Sequence, residues 1–332
     1  MEQITIPSER DGVAYLYGHP LRNSLSPPLH QTVYNALGLN WTQIPLSSAN
    51  GASYTQSPDI TTFLSSIRSN PKFVGSSVTM PWKVAIMPHL DDLTEDARQA
   101  GACNTIFLRK GDSNSEVSYV GTNTDCIGIR EALLHGSPTG PDHFRGKPAL
   151  IVGGGGTART AIYVLRRWLG ASKIYIVNRD AAEVEAILAE DKQRNPDSSA
   201  VAPLVPVSDP ETAATVEAPV AVVSGIPNYP PKTEEEIRAR ETLKVLLQRQ
   251  SHETDQGVIL EMCYHPSPWT EIAQIASDAR WKVVLGSEAL IWQGLEQAKL
   301  WTGTDVVAVP GLVEQVKDFV AQTVAERSKS NL

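Results

Sequence analysis

The chain has 332 residues, of which 41% are hydrophobic and 20% charged, a composition typical of a globular protein long enough for two domains. Its net charge of −8 argues against a surface for nucleic acid or acidic membranes, because either would favour a basic patch. No run of 18 apolar residues predicts a membrane span, and the polar start lacks the pattern of a signal peptide, so we expect a cytoplasmic protein. The expected partners are small molecules, with no nucleic acid and no membrane.

The cysteines and histidines do not predict a metal site. Cys103, Cys126 and Cys263 are widely separated and odd in number, which indicates neither a disulfide framework nor a zinc site. The seven histidines show no metal-ligand spacing. We therefore expect no metal.

Two serines follow the first predicted strand, which covers residues 13–17. If Ser24, Leu25 and Ser26 are extended, both hydroxyls point to one side and can hold a carboxylate or a polyol by hydrogen bonds. The alternative is that Ser26 only caps a helix beginning near Pro27.

A lysine stands at the end of the third predicted strand. In chain order, helices are predicted over 29–37 and 58–69, and strands over 41–45 and from 73 onward. The segment 75–83 then runs through a proline turn and leaves Lys83 at the start of a helix. Most lysines are solvated surface charges, but Val78, Met80 and Trp82 precede this one. Their apolar character predicts that Lys83 lies at the wall of a cleft.

Two glycine-led turns, at 101–105 and 121–125, carry amide and hydroxyl groups beside apolar strands. Such turns present donors and acceptors to a polar ligand. Asn104, Asn123 and Asp125 can equally be turn formers or helix caps, and this alternative stays open for each of them.

The segment 149–161 reads as strand, turn and helix. Four apolar residues lead into four glycines, after which apolar residues repeat at helical spacing. Gly153, Gly155 and Gly156 can let a dinucleotide pyrophosphate approach bare backbone amides at a helix N-terminus. A glycine-rich surface turn is the alternative, which the flanking strand and helix make less favourable.

The remaining half of the chain alternates predicted strands and helices. Strands are predicted over 173–177, 201–207, 220–223, 257–264 and 281–285, and helices over 181–193, from 233, over 287–299 and over 310–327. The first of these strands ends in Asn178, Arg179 and Asp180, where an acid suits the ribose of NAD and an arginine the 2′-phosphate of NADP. Both signals are present; because Asp180 and Glu183 would repel a phosphate, we favour NAD and leave NADP open.

Six short motifs together resemble the shikimate/quinate dehydrogenase family, over residues 13–303. They are Ser24-Leu-Ser-Pro27, Gly75-x-x-Val-Thr-x-Pro-x-Lys83, Gly101-Ala-x-Asn-Thr105, Gly121-x-Asn-Thr-Asp125, the glycine turn at 153–156 and Gln293-Gly294.

The resemblance implies an α/β fold in three parts. An N-terminal α/β substrate domain would cover 1–135, a Rossmann-like doubly wound nucleotide-binding domain 136–288, and C-terminal helices over 289–332 would return to the first domain. It implies an NAD(P)-dependent oxidoreductase that interconverts shikimate or quinate and the 3-dehydro ketone. The ligand would be a hydroxylated cyclohexane or cyclohexene carboxylate, and the oligomeric state is left open.

The resemblance also assigns residue roles. Lys83 and Asp125 would be the catalytic proton-transfer pair. The substrate-binding residues would be Ser24, Ser26, Thr79, Asn104, Tyr264 and Gln293. The cofactor-binding residues would be Gly153, Gly155, Gly156, Thr157, Asn178, Arg179, Asp180 and Gly286. The alternative is a catalytically idle sensor of the metabolite or of NAD, against which the retention of Lys83 and Asp125 argues.

The sequence departs from the family pattern in two places that bear on ligand preference. Ala289 replaces a usual methionine, and Ser224-Gly-Ile-Pro227 replaces a usual asparagine, alanine and threonine run. Both lie near the expected nicotinamide and adenine sites. The resemblance therefore leaves the choices between quinate and shikimate, and between NAD and NADP, open.

Overall fold

The computed structural model describes residues 4, 6–19, 21, 24–46, 57–111, 117–197, 201–249, 256–264 and 267–330, with side chains described as far as 326. The chain divides into two compact units, one made of residues 1–124 with 290–332 and the other of residues 125–289. The division falls at the start of a helix whose end is near the predicted boundary at 135. Among the described residues, no helix is both long and apolar enough to cross a membrane.

The first unit contains a mixed six-stranded sheet. Its strands are β1 (Gly12–Tyr17), β2 (Trp41–Leu46), β3 (Phe73–Val78), β4 (Asp92–Leu93), β5 (Thr105–Lys110) and β6 (Val117–Thr122). They lie in the order β2-β1-β3-β5-β6-β4. Strand β1 pairs in parallel with β2 and β3, whereas β5 pairs antiparallel with β3 and β6.

Helices cover this sheet from both ends of the chain. They are α1 (Ser26–Ala36), α2 (Ile60–Ser69), α3 (Trp82–Ala85), α4 (Glu95–Ala100), the C-terminal part of α11 (Gly286–Thr302) and α12 (Leu312–Ser330). Tyr17 stacks on Phe63 in the core, with ring centroids 3.9 Å apart. Helix α12 packs against α1, so the prediction that the C-terminal helices return to the first domain is confirmed.

The second unit contains a parallel six-stranded sheet. Its strands are β7 (Pro148–Val152), β8 (Lys173–Val177), β9 (Leu204–Pro206), β10 (Ala221–Ser224), β11 (Val258–Glu261) and β12 (Lys282–Leu285). The order is β12-β11-β10-β7-β8-β9, so the chain winds outward in both directions from the neighbours β7 and β10. In such a sheet, ligands bind outside the carboxyl ends of the strands at that switch point.

The helices of the second unit are α5 (Asp125–Gly136), α6 (Gly156–Tyr163), α7 (Ala181–Arg194), α8 (Pro210–Ala213), α9 (Glu234–Gln248), α10 (Glu271–Asp278) and the first turn of α11. The helix predicted after the glycine turn is α-helical only to Tyr163 and continues as a π-helix over Val164–Trp168. The predicted two-domain α/β class, with its Rossmann-like sheet, is confirmed.

Two predicted strands are shorter in the structure. The strand expected over 257–264 ends at Glu261, because the N–H of Cys263 turns back to the Glu261 carboxylate at 3.1 Å. The strand expected over 201–207 covers Leu204–Pro206. Tyr264 therefore lies on a loop beyond the sheet.

Candidate active site

The two predicted carboxylate-binding serines lie at the start of α1. Leu25 has φ −87° and ψ −6°, which are not the dihedral angles of an extended chain, so the expected extended alternation is wrong. Ser26 is the first helical residue and Leu25 precedes it at the cap position, so the alternative that Ser26 caps the helix is also wrong. The Ser24 hydroxyl oxygen accepts the Ser26 N–H at 3.2 Å, while the buried Ser26 hydroxyl donates to Gln43 Oε1 at 2.8 Å.

Thr79 and Lys83 lie just after β3. The Thr79 N–H donates to the carbonyl of Tyr17 at 2.8 Å, which holds the strand end against β1. Lys83 lies on α3, where its carbonyl accepts the N–H of Cys103 at 2.7 Å. The preceding Trp82 stacks on Tyr17 with ring centroids 5.9 Å apart. The Lys83 side chain is half-buried on this fixed turn, which favours the predicted cleft wall over an open face.

Asn104 and Gln293, both predicted to bind substrate, are brought together by hydrogen bonds within the first unit. Asn104 Oδ1 accepts the N–H of Thr124 at 2.7 Å, and Asn104 Nδ2 donates to Gln293 Oε1 at 3.3 Å. Asn104 therefore joins the two predicted glycine-led turns and also orients the Gln293 amide. Asp125 follows Thr124 directly, is buried, and is the first residue of α5.

A cluster that the sequence did not reveal lies behind these residues. Gln43, Ser77 and Gln297 are all buried and are joined by hydrogen bonds. Two signals could have indicated it. Gln43 is a polar residue within a predicted strand, and Gln297 lies one helical turn after Gln293, on the same helix face.

The glycine turn after β7 has the features of an anion site. Gly153 has φ +119°, and Gly155 precedes α6 without a side-chain cap or an acidic residue in the first turn. A Cβ atom added to Gly155 would meet nothing within 4 Å. The first amides of α6, including those of Gly156 and Thr157, are therefore left for an external anion. These features fit the diphosphate of a dinucleotide.

Acidic side chains surround the expected ribose position. A Cβ on Gly154 would lie 2.4 Å from Glu183 Oε2, which shows how closely that carboxylate approaches the turn. Asn178, just after β8, donates to the same oxygen at 2.7 Å. Asp180 caps α7 by accepting the N–H of Ala182 at 2.9 Å. The Glu183 carboxylate therefore contributes negative potential at the glycine turn, and Asp180 lies at the start of the next helix.

Arg179, the basic residue of this group, is paired. Its guanidinium donates to the Glu236 carboxylate at the start of α9, although 65% of the arginine side chain is exposed. Glu236 also accepts the N–H groups of Lys232 and Thr233. The sequence identified Glu236 only as part of a helix start, because the two residues lie 57 positions apart.

Tyr264 and Gly286 lie beyond the ends of β11 and β12. Tyr264 is half-buried, three residues after Glu261, which is fully buried. Burial raises the pKa of the Glu261 carboxyl to about 7, against the opposing hydrogen bond from the Cys263 N–H. A Cβ on Gly286 would lie 2.3 Å from the carbonyl oxygen of Met262, so only glycine permits this close approach.

In the part of the chain that the structure describes, no group of three or more His, Cys, Asp or Glu side chains is arranged to hold a metal ion.

Comparison with known proteins places these features in one family. Residues 16–106 match the model described as the shikimate dehydrogenase substrate binding domain. A quinate dehydrogenase of Emericella nidulans is 84% identical over 332 residues, which is 100% of both chains.

Two solved structures extend the comparison to the fold. One is the dehydroquinate dehydratase and shikimate dehydrogenase from S. pombe AroM, with 31% identity and a TM-score of 0.67 over 92% of this chain and 53% of that chain. The other is the quinate dehydrogenase from Corynebacterium glutamicum in complex with NAD, with a TM-score of 0.70 over 94% of this chain and 99% of that chain. Because this structure is only 22% identical in sequence to the chain, the similarity shows the fold alone. The chain belongs to the shikimate/quinate dehydrogenase family of NAD(P)-dependent oxidoreductases, as its six motifs predict.

Proposed function

We propose that this chain is a quinate dehydrogenase that reversibly oxidises a ring hydroxyl of quinate to the 3-dehydro ketone, with NAD as the preferred cofactor. The observation that carries the proposal is the 84% identity over the full length to a quinate dehydrogenase. Shikimate is the second candidate substrate, because the matching domain model and the S. pombe structure carry that name.

The proposed substrate site divides into two ends. Ser24 and Ser26 form the end of the site that receives the carboxylate, with Tyr264 assisting. Thr79, Asn104 and Gln293 contact the ring hydroxyls, because a hydroxyl or amide can both donate to and accept from a polyol. The support for this division is the hydrogen-bonded pair of Asn104 and Gln293, whose amides are already oriented by protein contacts.

Lys83 is the proposed proton-transfer group. It takes the proton of the substrate hydroxyl during oxidation and returns it during reduction, while Asp125 orients it. A bound nicotinamide supplies the hydride chemistry. The half-buried position of Lys83 on a turn held by Cys103 supports this role, since it limits the arrangements open to the ammonium.

The preference for NAD rests on the surroundings of Arg179. A 2′-phosphate would have to compete with Glu236 for the guanidinium, and it would approach the carboxylates of Asp180 and Glu183. A free ribose hydroxyl can instead donate to an acid at this position. The glycine turn, with Thr157 at the start of α6, would hold the diphosphate.

A matrix of two acids and two cofactors tests the proposal. Purified protein is mixed with quinate or shikimate and with NAD or NADP, and the absorbance of the reduced nicotinamide is followed. We expect the highest kcat/KM with quinate and NAD. Binding of the acids without turnover in any combination would instead identify the idle sensor. Cytoplasmic location stays a prediction.

A further inference from the structure

The hydroxyl of Ser26 is the first member of a buried chain of hydrogen bonds. It donates to Gln43 Oε1 at 2.8 Å, Gln43 Nε2 donates to Ser77 Oγ at 2.8 Å, and Ser77 Oγ donates to Gln297 Oε1 at 2.8 Å. Gln297 Nε2 then donates to Thr105 Oγ1 at 2.9 Å. All five side chains are buried and belong to the first unit.

Two backbone carbonyls fix the direction of this chain. Gln43 Nε2 lies 3.4 Å from the carbonyl of Tyr15, and Gln297 Nε2 lies 3.4 Å from the carbonyl of Asn104. A carbonyl oxygen can only accept, so each amide must present its nitrogen to it. Neither glutamine can then be flipped without placing two acceptors face to face.

His30 supports the same direction. Its Nε2 lies 3.0 Å from Gln297 Oε1, so this nitrogen carries the hydrogen. Burial lowers the pKa of His30 to about 4, which keeps the ring neutral near pH 7. Gln297 Oε1 thus accepts from both His30 and Ser77, and the Ser77 proton is committed to it.

The Ser26 proton is committed in the same way. A hydroxyl has one hydrogen, and that of Ser26 is donated to Gln43. Ser26 can therefore offer a ligand only its lone pairs, whereas Ser24, whose oxygen accepts the Ser26 N–H, keeps its hydrogen for the ligand. The pair can donate to a carboxylate through Ser24 and accept from a neighbouring hydroxyl through Ser26.

We propose that Gln43 is a positioning residue that holds Ser26 as a hydrogen-bond acceptor, and that the site thereby favours an acid with a hydroxyl on the carbon that bears the carboxylate. The proposal rests on the function proposed above, since it takes Ser24 and Ser26 as the carboxylate end. Quinate carries that hydroxyl and shikimate lacks it, so the two acids are the probes.

The experiment compares the dissociation constants of the two acids by calorimetry and, in parallel, their kcat/KM values with NAD. The wild type should favour quinate. In Gln43→Met, which keeps the side-chain length but cannot accept the proton, Ser26 can turn its hydrogen to the carboxylate that both acids share. The preference for quinate should fall about three- to tenfold, as expected for one hydrogen bond.

Two further variants make the result specific. Ser26→Ala should lower the same preference, and the double variant should lower it no further, because both changes remove one interaction. Gln31→Met is the control, since Gln31 lies on α1 and binds Asn35 outside the chain of hydrogen bonds. The preference of Gln31→Met for quinate over shikimate should match that of the wild type.

The proposal would be overturned if the preference of Gln43→Met for quinate stays within twofold of the wild-type value. It would also be overturned if the effects of Gln43→Met and Ser26→Ala on this preference add in the double variant. If Gln43→Met unfolds, Ser26→Ala alone carries the test, because it removes the proposed acceptor directly, and a preference for quinate equal to that of the wild type there is equally decisive. Failure of the proposed function is distinguishable, because calorimetry reports the preference of an enzyme that shows no turnover. A wild type that binds neither acid would overturn both proposals.

Discussion

The guanidinium of Arg179 donates to the carboxylate of Glu236, so a charge at the end of β8 is paired with one at the start of α9. Glu236 also completes a capping box with Thr233. The N–H groups of Lys232 and Thr233, followed by Arg179, hold the pKa of Glu236 below its ordinary value. The Glu236 carboxylate is therefore ionised near neutral pH. It competes there with the 2′-phosphate of NADP for the guanidinium of Arg179.

The cofactor preference should depend on this pair. In Glu236→Gln, the helix cap is kept because glutamine serves at the same capping position, but the competing charge is lost. We expect the kcat/KM ratio of NADP to NAD to rise by up to about fivefold, as for an exposed ion pair. Glu234→Gln, in the same helical turn, is the matched control and should leave the ratio unchanged. A wild type that already prefers NADP would contradict the underlying assignment.

Removal of the proposed proton-transfer groups should affect the chemical step. Lys83→Ala and Asp125→Asn should each lower kcat by about 10² to 10⁴, with a smaller change in KM, as is typical for lost general acid–base help. Lys110→Ala, which removes an exposed lysine of β5, is the control for net charge. If Lys83→Ala keeps more than about a tenth of the wild-type kcat, the assignment of Lys83 is wrong.

The two serines should contribute to binding rather than to the chemical step. Replacing Ser24 and Ser26 together by alanine removes the Ser24 hydrogen bond to a charged group, worth about 1.5–3 kcal/mol, and also the acceptor that Ser26 offers to the neighbouring hydroxyl. KM for the acid should then rise at least tenfold while kcat changes less. Circular dichroism and thermal unfolding of the double variant check that the protein is folded. A rise of less than about threefold in a folded protein would assign the serines to the helix start alone.

Glu261 should make stability depend on pH. Its pKa is raised from 4.5 to about 7 in the fold, so the folded state binds more protons than the unfolded state between these values. Its contribution to the free energy of unfolding therefore falls as pH rises from about 4.5 to about 7. In Glu261→Gln this contribution disappears.

Thermal unfolding of both proteins at pH 5 and pH 8 tests this expectation. The stability of Glu261→Gln relative to the wild type should be higher at pH 8 than at pH 5, by an amount on the order of 3 kcal/mol. Arg240, whose charge stabilises the ionised Glu261, is present in both proteins and does not affect the sign. If the difference in stability between Glu261→Gln and the wild type is the same at pH 5 and pH 8, the pKa of Glu261 is not raised in the folded protein.

The sequence predicted what depends on local pattern. The turn between β7 and α6 could be recognised because glycine spacing and flanking apolar runs lie within a dozen residues, and the strand over Lys173–Val177 matches its predicted range. The segment from Glu95 to Ala100 was not predicted as a helix, since it is short and polar.

Contacts between distant segments could not be predicted. Arg179 was assessed beside Asp180, its neighbour in the chain, but its ionic partner comes from another helix. The Ser26 hydroxyl was judged from an assumed extended backbone, whereas its partner Gln43 lies on β2, 17 positions later in the chain. A one-dimensional pattern gives the type of a side chain, but the direction of its proton is set by atoms that only folding brings near.

The first unit is built from both ends of the chain, and this determines when it can form during synthesis. Gln297 supplies the acceptor for Ser77, 220 positions earlier, and Trp301 covers Gly75 while donating to the carbonyl of Ile106. The N-terminal strands therefore leave the ribosome long before α11, which carries the side chains that form hydrogen bonds with the buried groups of these strands. The second unit is continuous from 125 to 289 and can fold in between. We expect nascent chains stopped before α11 to expose the first sheet to chaperones and proteases.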